Sequence, residues 1–160
     1  MKERPLLYIE TSVFGFYYDE EPRNALRREA VRTLFQQIAL GVVNAVASPL
    51  AEEELDVTAE PLRSRLLALL DQLDTLDADD AEVTRLAALY VKEGVIPAAE
   101  TLDARHAAWA TAGRADIIVS LNLKHLANEW AERKLNAVNV QEGFPTVSIR
   151  TPEQVVRYED

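Results

Sequence analysis

The sequence contains no cysteine, which excludes disulfide scaffolds, thiolate zinc sites and cysteine nucleophiles. Histidine is almost as scarce. His106 and His125 are the whole complement, too few for a histidine-dominated metal centre, so a metal bound here is expected to be a hard cation held by carboxylates. The glycines all stand apart from one another. The phosphate-cradling patterns G-x-x-x-x-G-K-S/T and G-x-G-x-x-G are therefore missing, as is the G-x-S-x-G nucleophile elbow. No apolar run approaches the roughly 18 residues that a membrane span needs. Three of the first five residues, Lys2, Glu3 and Arg4, are charged and the apolar run over 6–9 stops at Glu10, a pattern that predicts no signal peptide and a soluble, cytoplasmic chain. Positive charge is the scarcer sign, with 17 Lys and Arg against 27 Asp and Glu and a formal net charge of -10. That balance argues against a broad nucleic-acid surface but allows a local basic patch.

What the chain does have is a core. Of its 160 residues, 48% are hydrophobic, enough to exclude disorder and to fill one domain over 1–160. Residues 6–9 read as a buried strand that ends abruptly at Glu10-Thr11-Ser12. Asn24 predicts the cap of a helix to about residue 40, with Ala30, Val31, Leu34 and Phe35 along one face and Gly41 as its stop. Residues 42–47 form a second β-rich run, and Ser48-Pro49 opens a helix. A leucine-rich helix over 61–73 and a short edge strand over 73–76 follow. Asp79 or Asp80 caps a helix ended by Gly94, and Thr101 caps another over 102–112 ended by Gly113. Residues 117–120 are the next strand, 124–128 and 129–140 two helical segments, 147–149 the last strand, and Thr151-Pro152 opens a terminal helix. Strands alternating with helix-length crossovers predict an α/β fold of three layers, α/β/α, around a mostly parallel sheet.

In such a sheet ligands bind beyond the carboxyl ends of the strands. The polar residues there are Glu10, Thr11 and Ser12 after the first strand, Ser48 and the helix acids Glu52, Glu53 and Glu54 after the second, and Ser120 and Asn122 after the next. Asp103 lies in the first turn of the helix feeding that strand, near its dipole-positive end. Carboxylates brought within ~5 Å repel by several kcal/mol at intermediate dielectric. Convergence of these acids therefore predicts a cation or a proton between them.

These residues carry a resemblance. Tyr8-Ile9-Glu10-Thr11-Ser12-Val13 is similar to the opening strand motif of PIN-domain proteins, with Glu10 where the family usually has Asp. Ser48 to Leu55 resembles the second motif, its acid at Glu54; Leu102-Asp103-Ala104-Arg105-His106 resembles the third; Asp116 to Asn122, followed by Lys124-His125-Leu126, resembles the fourth. The motifs run in the family's order over nearly the whole chain, and the nearest branch is that of the VapC-like toxins of type II toxin–antitoxin systems. The resemblance implies a PIN-like fold and a Mg²⁺- or Mn²⁺-dependent ribonuclease. It also implies a homodimer and a small antitoxin partner. On this mapping Glu10 and Asp103 are metal ligands, Glu54 is a ligand or water-positioning base, and Thr11, Ser12 and Ser120 bind substrate or orient the ligands. The fourth acidic position falls on Asn122, which brings no charge. Asp116 is the alternative ligand, six residues earlier, although six residues of strand span ~20 Å. The competing expectation is a catalytically weak or inactive PIN-like module that binds RNA or protein.

Other features read as structural. His106, three residues after Asp103, and His125 are expected as hydrogen-bonding residues. Arg23, Arg27, Arg28 and Arg32 form a basic stretch expected to be a solvated face. Trp109 and Trp130 are expected in the core or at an interface rather than as stacking platforms.

Overall fold

Leu6–Ile9 forms β1, the middle strand of a five-stranded sheet in the computed structural model of the chain, which describes residues 4–158. Its neighbours are β2 (Asn44–Ala47) and β4 (Ile117–Val119), and β3 (Asp74–Thr75) and β5 (Ser148–Arg150) take the edges. The order is β3-β2-β1-β4-β5 and every pairing is parallel, with Tyr8 in register with Val46 on one side and Ile118 on the other. The described helices are α1 (Ser12–Phe16), α2 (Ala25–Ala39), α3 (Pro49–Asp56), α4 (Leu62–Leu70), α5 (Asp80–Lys92), α6 (Thr101–Ala112), α7 (Glu129–Gln141) and α8 (Pro152–Val155).

Alternation along the strands divides the apolar side chains between two cores. Tyr8, Val46, Ile118 and Ile149 pack with Leu86 and Tyr90 of α5, Ala104, Ala107 and Ala108 of α6, and Leu135 of α7. Leu7, Ile9, Ala45 and Val119 pack on the other face with Phe14 of α1, Val31 and Leu34 of α2 and Leu66 of α4. One core on each face of a parallel sheet is the three-layer α/β/α arrangement. Among the described residues no helix is long and apolar enough to cross a membrane.

The connections decide where a ligand can sit. The chain lays β2 and then β3 to one side of β1, then crosses to the other side for β4 and β5. The strand order therefore reverses at β1 and β4, which opens a crevice at their carboxyl ends.

Several local details differ from the sequence expectation. Helix α1 was not foreseen, because five residues are too few to display a helical period. Asn24 holds the cap position of α2, but its amide donates to Asp19 Oδ2 (2.9 Å) instead of capping the helix. Glu100, not Thr101, occupies the cap position of α6. Residues 124–128 are turns rather than helix, with the Asn122 carbonyl accepting from the N–H groups of Leu126 and Ala127. Gly113 follows α6 as expected, yet its backbone stays right-handed and Arg114 takes the positive φ of 61°. The glycine is needed for space: a Cβ there would meet Leu76 Cγ and Cδ2 at 2.5 Å.

Candidate active site

Glu10 extends β1 by one more ladder bond, its N–H donating to the Val119 carbonyl at 3.0 Å. The side chain is only 5% exposed, and three short-range donors hold it. Ser12 N–H donates to Oε2 (2.9 Å), and the hydroxyls of Ser12 and Ser120 both donate to Oε1 (2.6 Å each). The tight turn from β1 into α1 delivers the Ser12 donors, and the end of β4 delivers Ser120. A carboxylate accepts about four hydrogen bonds, so Glu10 retains capacity for one further partner. The Ser12 hydroxyl also accepts from Leu121 N–H, and that of Ser120 from Asn122 N–H. These bonds tie the residues after β4 to the residues after β1.

Asp103 reaches the same crevice from the first turn of α6 and is 8% exposed. Its Oδ2 accepts from Asn122 Nδ2 at 2.9 Å. Burial raises its carboxyl above the ordinary range, and the negative charge of Glu10 adds to the rise; the Asn122 hydrogen bond opposes both. The two acids thus feel one another, as expected for carboxylates gathered at one rim.

Glu54 approaches from α3 on the other side of β1. Of the three adjacent acids, Glu52 and Glu53 are exposed, whereas Glu54 turns inward. Its Oε1 accepts from Thr11 Oγ1 (3.1 Å) and lies 2.5 Å from His106 Nε2. Burial alone pushes the Glu54 carboxyl up, but the hydrogen bond and charge of His106, with the Thr11 hydroxyl, outweigh it and hold the group below the ordinary range. Behind His106 runs a buried relay. Its Nδ1 is 2.6 Å from Tyr8 Oη, which is 2.8 Å from Ser48 Oγ. If Tyr8 donates to Nδ1, the proton of the neutral ring sits on Nε2 and points at Glu54. Tyr8 belongs to the opening strand motif, but the sequence assigned it no role in the site. Its signal was alternation, which puts Tyr8 on the opposite face from Leu7 and Ile9 and under the α6 residue one turn beyond Asp103.

The structure therefore brings Glu10, Asp103, Asn122, Ser12 and Ser120 together, with Glu54, Thr11 and His106 forming an adjoining group. Asp116 does not join them. It precedes β4, at the opposite end of the sheet, where its Oδ2 accepts from Leu6 N–H (2.7 Å) and its own N–H donates to the Leu6 carbonyl. The length of β4 separates it from Asn122. Ser120 is 0% exposed, so its hydroxyl orients Glu10 rather than facing the crevice.

Among the described residues no group of three or more His, Asp or Glu side chains is gathered in the geometry of a metal site. The chemistry of the donor set nonetheless suits a hard cation. Two buried carboxylates repel each other, Asp103 Oδ1 has no hydrogen bond among the described residues, and an amide adjoins them. Glu10 and Asp103, with Asn122 beside them, are the residues placed to hold such an ion. No protein-family model and no curated protein matches the chain.

Proposed function

We propose that the protein is a PIN-like, divalent-cation-dependent ribonuclease, the toxin component of a toxin–antitoxin pair. The observation that carries this reading is the placement of Glu10 and Asp103. Both are buried, both stand at the topological switch point, and Glu10 helps to hold the Asp103 carboxyl above its ordinary range. Natural folds seldom keep two like charges together unless a cation joins them. Mg²⁺ or Mn²⁺, when bound, supplies Lewis-acid activation of water and neutralises charge on the scissile phosphate.

The chain's own residues divide the remaining work. Ser12 and Ser120 fix the orientation of Glu10, as supporting hydrogen bonds do for metal ligands generally. Asn122 fixes Asp103. His106 and Thr11 keep Glu54 ionised with Oε1 occupied, which leaves Oε2 to accept a proton or to position a water. Homodimerisation and capture by a small antitoxin belong to the same proposal.

A second reading has one specific observation in its favour. Asn122 already serves Asp103 and His106 already serves Glu54, so hydrogen bonds satisfy part of the acid cluster. That is what a non-catalytic PIN-like binding module would show. Mn²⁺ titration and RNA cleavage by wild type and by Asp103→Asn separate the two. The enzyme reading expects ion binding and cleavage that the substitution abolishes; equal Mn²⁺ affinity in both proteins would remove the site.

A further inference from the structure

A groove of about 430 Å³ lies between the loop that follows α5 and the start of α7. Ile96 and Pro97 line one side; Lys124, His125, Trp130 and Lys134 line another. Among the described residues no carboxylate lines it, although the chain has 27 Asp and Glu and a net charge of -10. Lysine is rare in this sequence, at positions 2, 92, 124 and 134, and two of the four border this one groove. Neither Lys124 nor Lys134 makes an ion pair among the described residues.

The aromatic residue there is equally unusual. Trp130 is 72% exposed, which removes the core half of the expectation for it, whereas Trp109 is buried. Trp130 and Lys134 are four residues apart on α7 and share a face, while Ala131 and Leu135 turn inward. An exposed indole flanked by unpaired ammonium groups is the combination that receives single-stranded nucleic acid: a base stacks on the ring and phosphates meet the cations. A duplex has no free base face to offer.

One residue of the groove wall is bonded to the acidic site. His125, on its wall, donates its backbone N–H to Asn122 Oδ1 (3.3 Å), and Asn122 donates to Asp103. His125 Nε2 also lies 3.5 Å from Glu100 at the start of α6. The lysine-bordered groove and the carboxylates are thus linked through His125 and Asn122.

We propose that this groove is the substrate-strand subsite, in which Trp130 stacks a base of single-stranded RNA and Lys124 and Lys134 hold its phosphates. The assignment rests on the ribonuclease reading for the identity of the polymer but makes its own prediction about binding. All three side chains are exposed, so their replacement leaves the fold intact, which far-ultraviolet circular dichroism and thermal melts check.

The test uses the full chain in EDTA, where cleavage cannot intervene, with fluorescein-labelled single-stranded oligouridylate and oligoadenylate and a duplex of equal length. Fluorescence anisotropy and tryptophan quenching are both read. Trp130→Ala is expected to weaken single-strand binding about tenfold and to remove the quenching. The double variant Lys124→Gln/Lys134→Gln is expected to weaken binding and to lower the slope of log affinity against log salt by about 1.4. Failure of the wild type to bind either single strand, equal quenching by the duplex, or wild-type affinity in both variants overturns the subsite. With Mn²⁺ restored, the two readings come apart. Cleavage by wild type with undiminished binding by the variants sinks the subsite alone, and Trp130-dependent binding without cleavage sinks the nuclease alone.

Discussion

His106 Nε2 lies 2.5 Å from Glu54 Oε1, while the opposite ring nitrogen is engaged by Tyr8. A single imidazole thus connects a buried tyrosine under α6 to the half-buried carboxylate on α3, across the carboxyl end of β1. Because the ring is 1% exposed, neither contact can be replaced by bulk water.

Replacing the ring tests this connection. His106→Gln is expected to destabilise the protein by about 1–3 kcal/mol at pH 7, the range for leaving buried partners unsatisfied. The pH dependence follows from Glu54, whose folded-state carboxyl lies below its ordinary value of 4.5. In the interval just below pH 4.5 the unfolded chain binds more protons than the folded one. The contribution of the contact is complete above that interval and is lost as the pH falls through the folded-state pKa. Urea unfolding of both proteins should show their stability difference shrinking on acidification below that pH. A difference that stays constant would assign the effect to packing instead.

Asp103 has the opposite sign. Its carboxyl is raised by burial and by Glu10, so ionisation costs more in the folded state than in the unfolded one. Stability is therefore lost as the pH rises from the ordinary value of 3.8 through the folded-state pKa. Asp103→Asn keeps the shape and an oxygen for Asn122 to donate to. In EDTA at neutral pH it is expected to be more stable than wild type by about 0.5–2 kcal/mol, while losing Mn²⁺ affinity and RNA cleavage. A melting temperature that falls instead would mean that the charge is already well compensated.

Ser120 is the hinge of the Glu10 hydrogen bonds. Its hydroxyl donates to Glu10 Oε1 and accepts from Asn122 N–H. Ser120→Ala leaves a buried acceptor and a buried donor short of a partner and is expected to cost about 1–3 kcal/mol. If Glu10 holds an ion, Mn²⁺ affinity should fall about 10–100-fold, the usual effect of removing a supporting hydrogen bond. Calorimetric titration of wild type and variant measures this. Unchanged affinity would show that the orientation of Glu10 is immaterial to ion binding.

The order of strands and helices was legible because apolar runs, caps and Gly stops punctuate this sequence clearly. The Ser48-Pro49 start of α3, the Asp79 cap of α5 and the positive-φ Gly94 beyond its end all occur where the residues imply. Glu10, Asp103 and Asn122 were legible as neighbours because they follow, or feed, adjacent strands. What could not be read was side-chain direction. Sequence spacing did not separate Glu54 from Glu52 and Glu53, since the choice depends on how α3 leans on β1. For Trp130 the sequence left core and interface open, and only the seating of α7, with Ala131 and Leu135 inward, shows that the ring is exposed. The role of Ser120 as a buried donor to Glu10 needed the three-dimensional closeness of β1 and β4.

Gly113 offers a test of how α6 is seated, independent of any chemistry. Its φ of -82° is open to any residue, so replacing it incurs no penalty for a left-handed backbone. The obstacle is Leu76, whose Cγ, Cδ1 and Cδ2 would all lie within 2.8 Å of a new Cβ. Because three atoms of the isobutyl group are involved, a rotamer change of its far end is not enough, and Leu76 or the end of α6 must shift. Leu76 itself is fixed by the edge of the sheet, its N–H donating to the Ala47 carbonyl at 2.8 Å. Overpacking of this kind costs about 1–3 kcal/mol, so Gly113→Ala should lower the unfolding free energy by that amount, read as a lower urea midpoint at unchanged m. Asp103 lies at the far end of α6, some ten residues or about 15 Å along the helix, so Mn²⁺ affinity of the folded fraction should stay at the wild-type value. Wild-type stability in the variant would mean that the junction between α6 and β3 is looser than the packing of Leu76 implies.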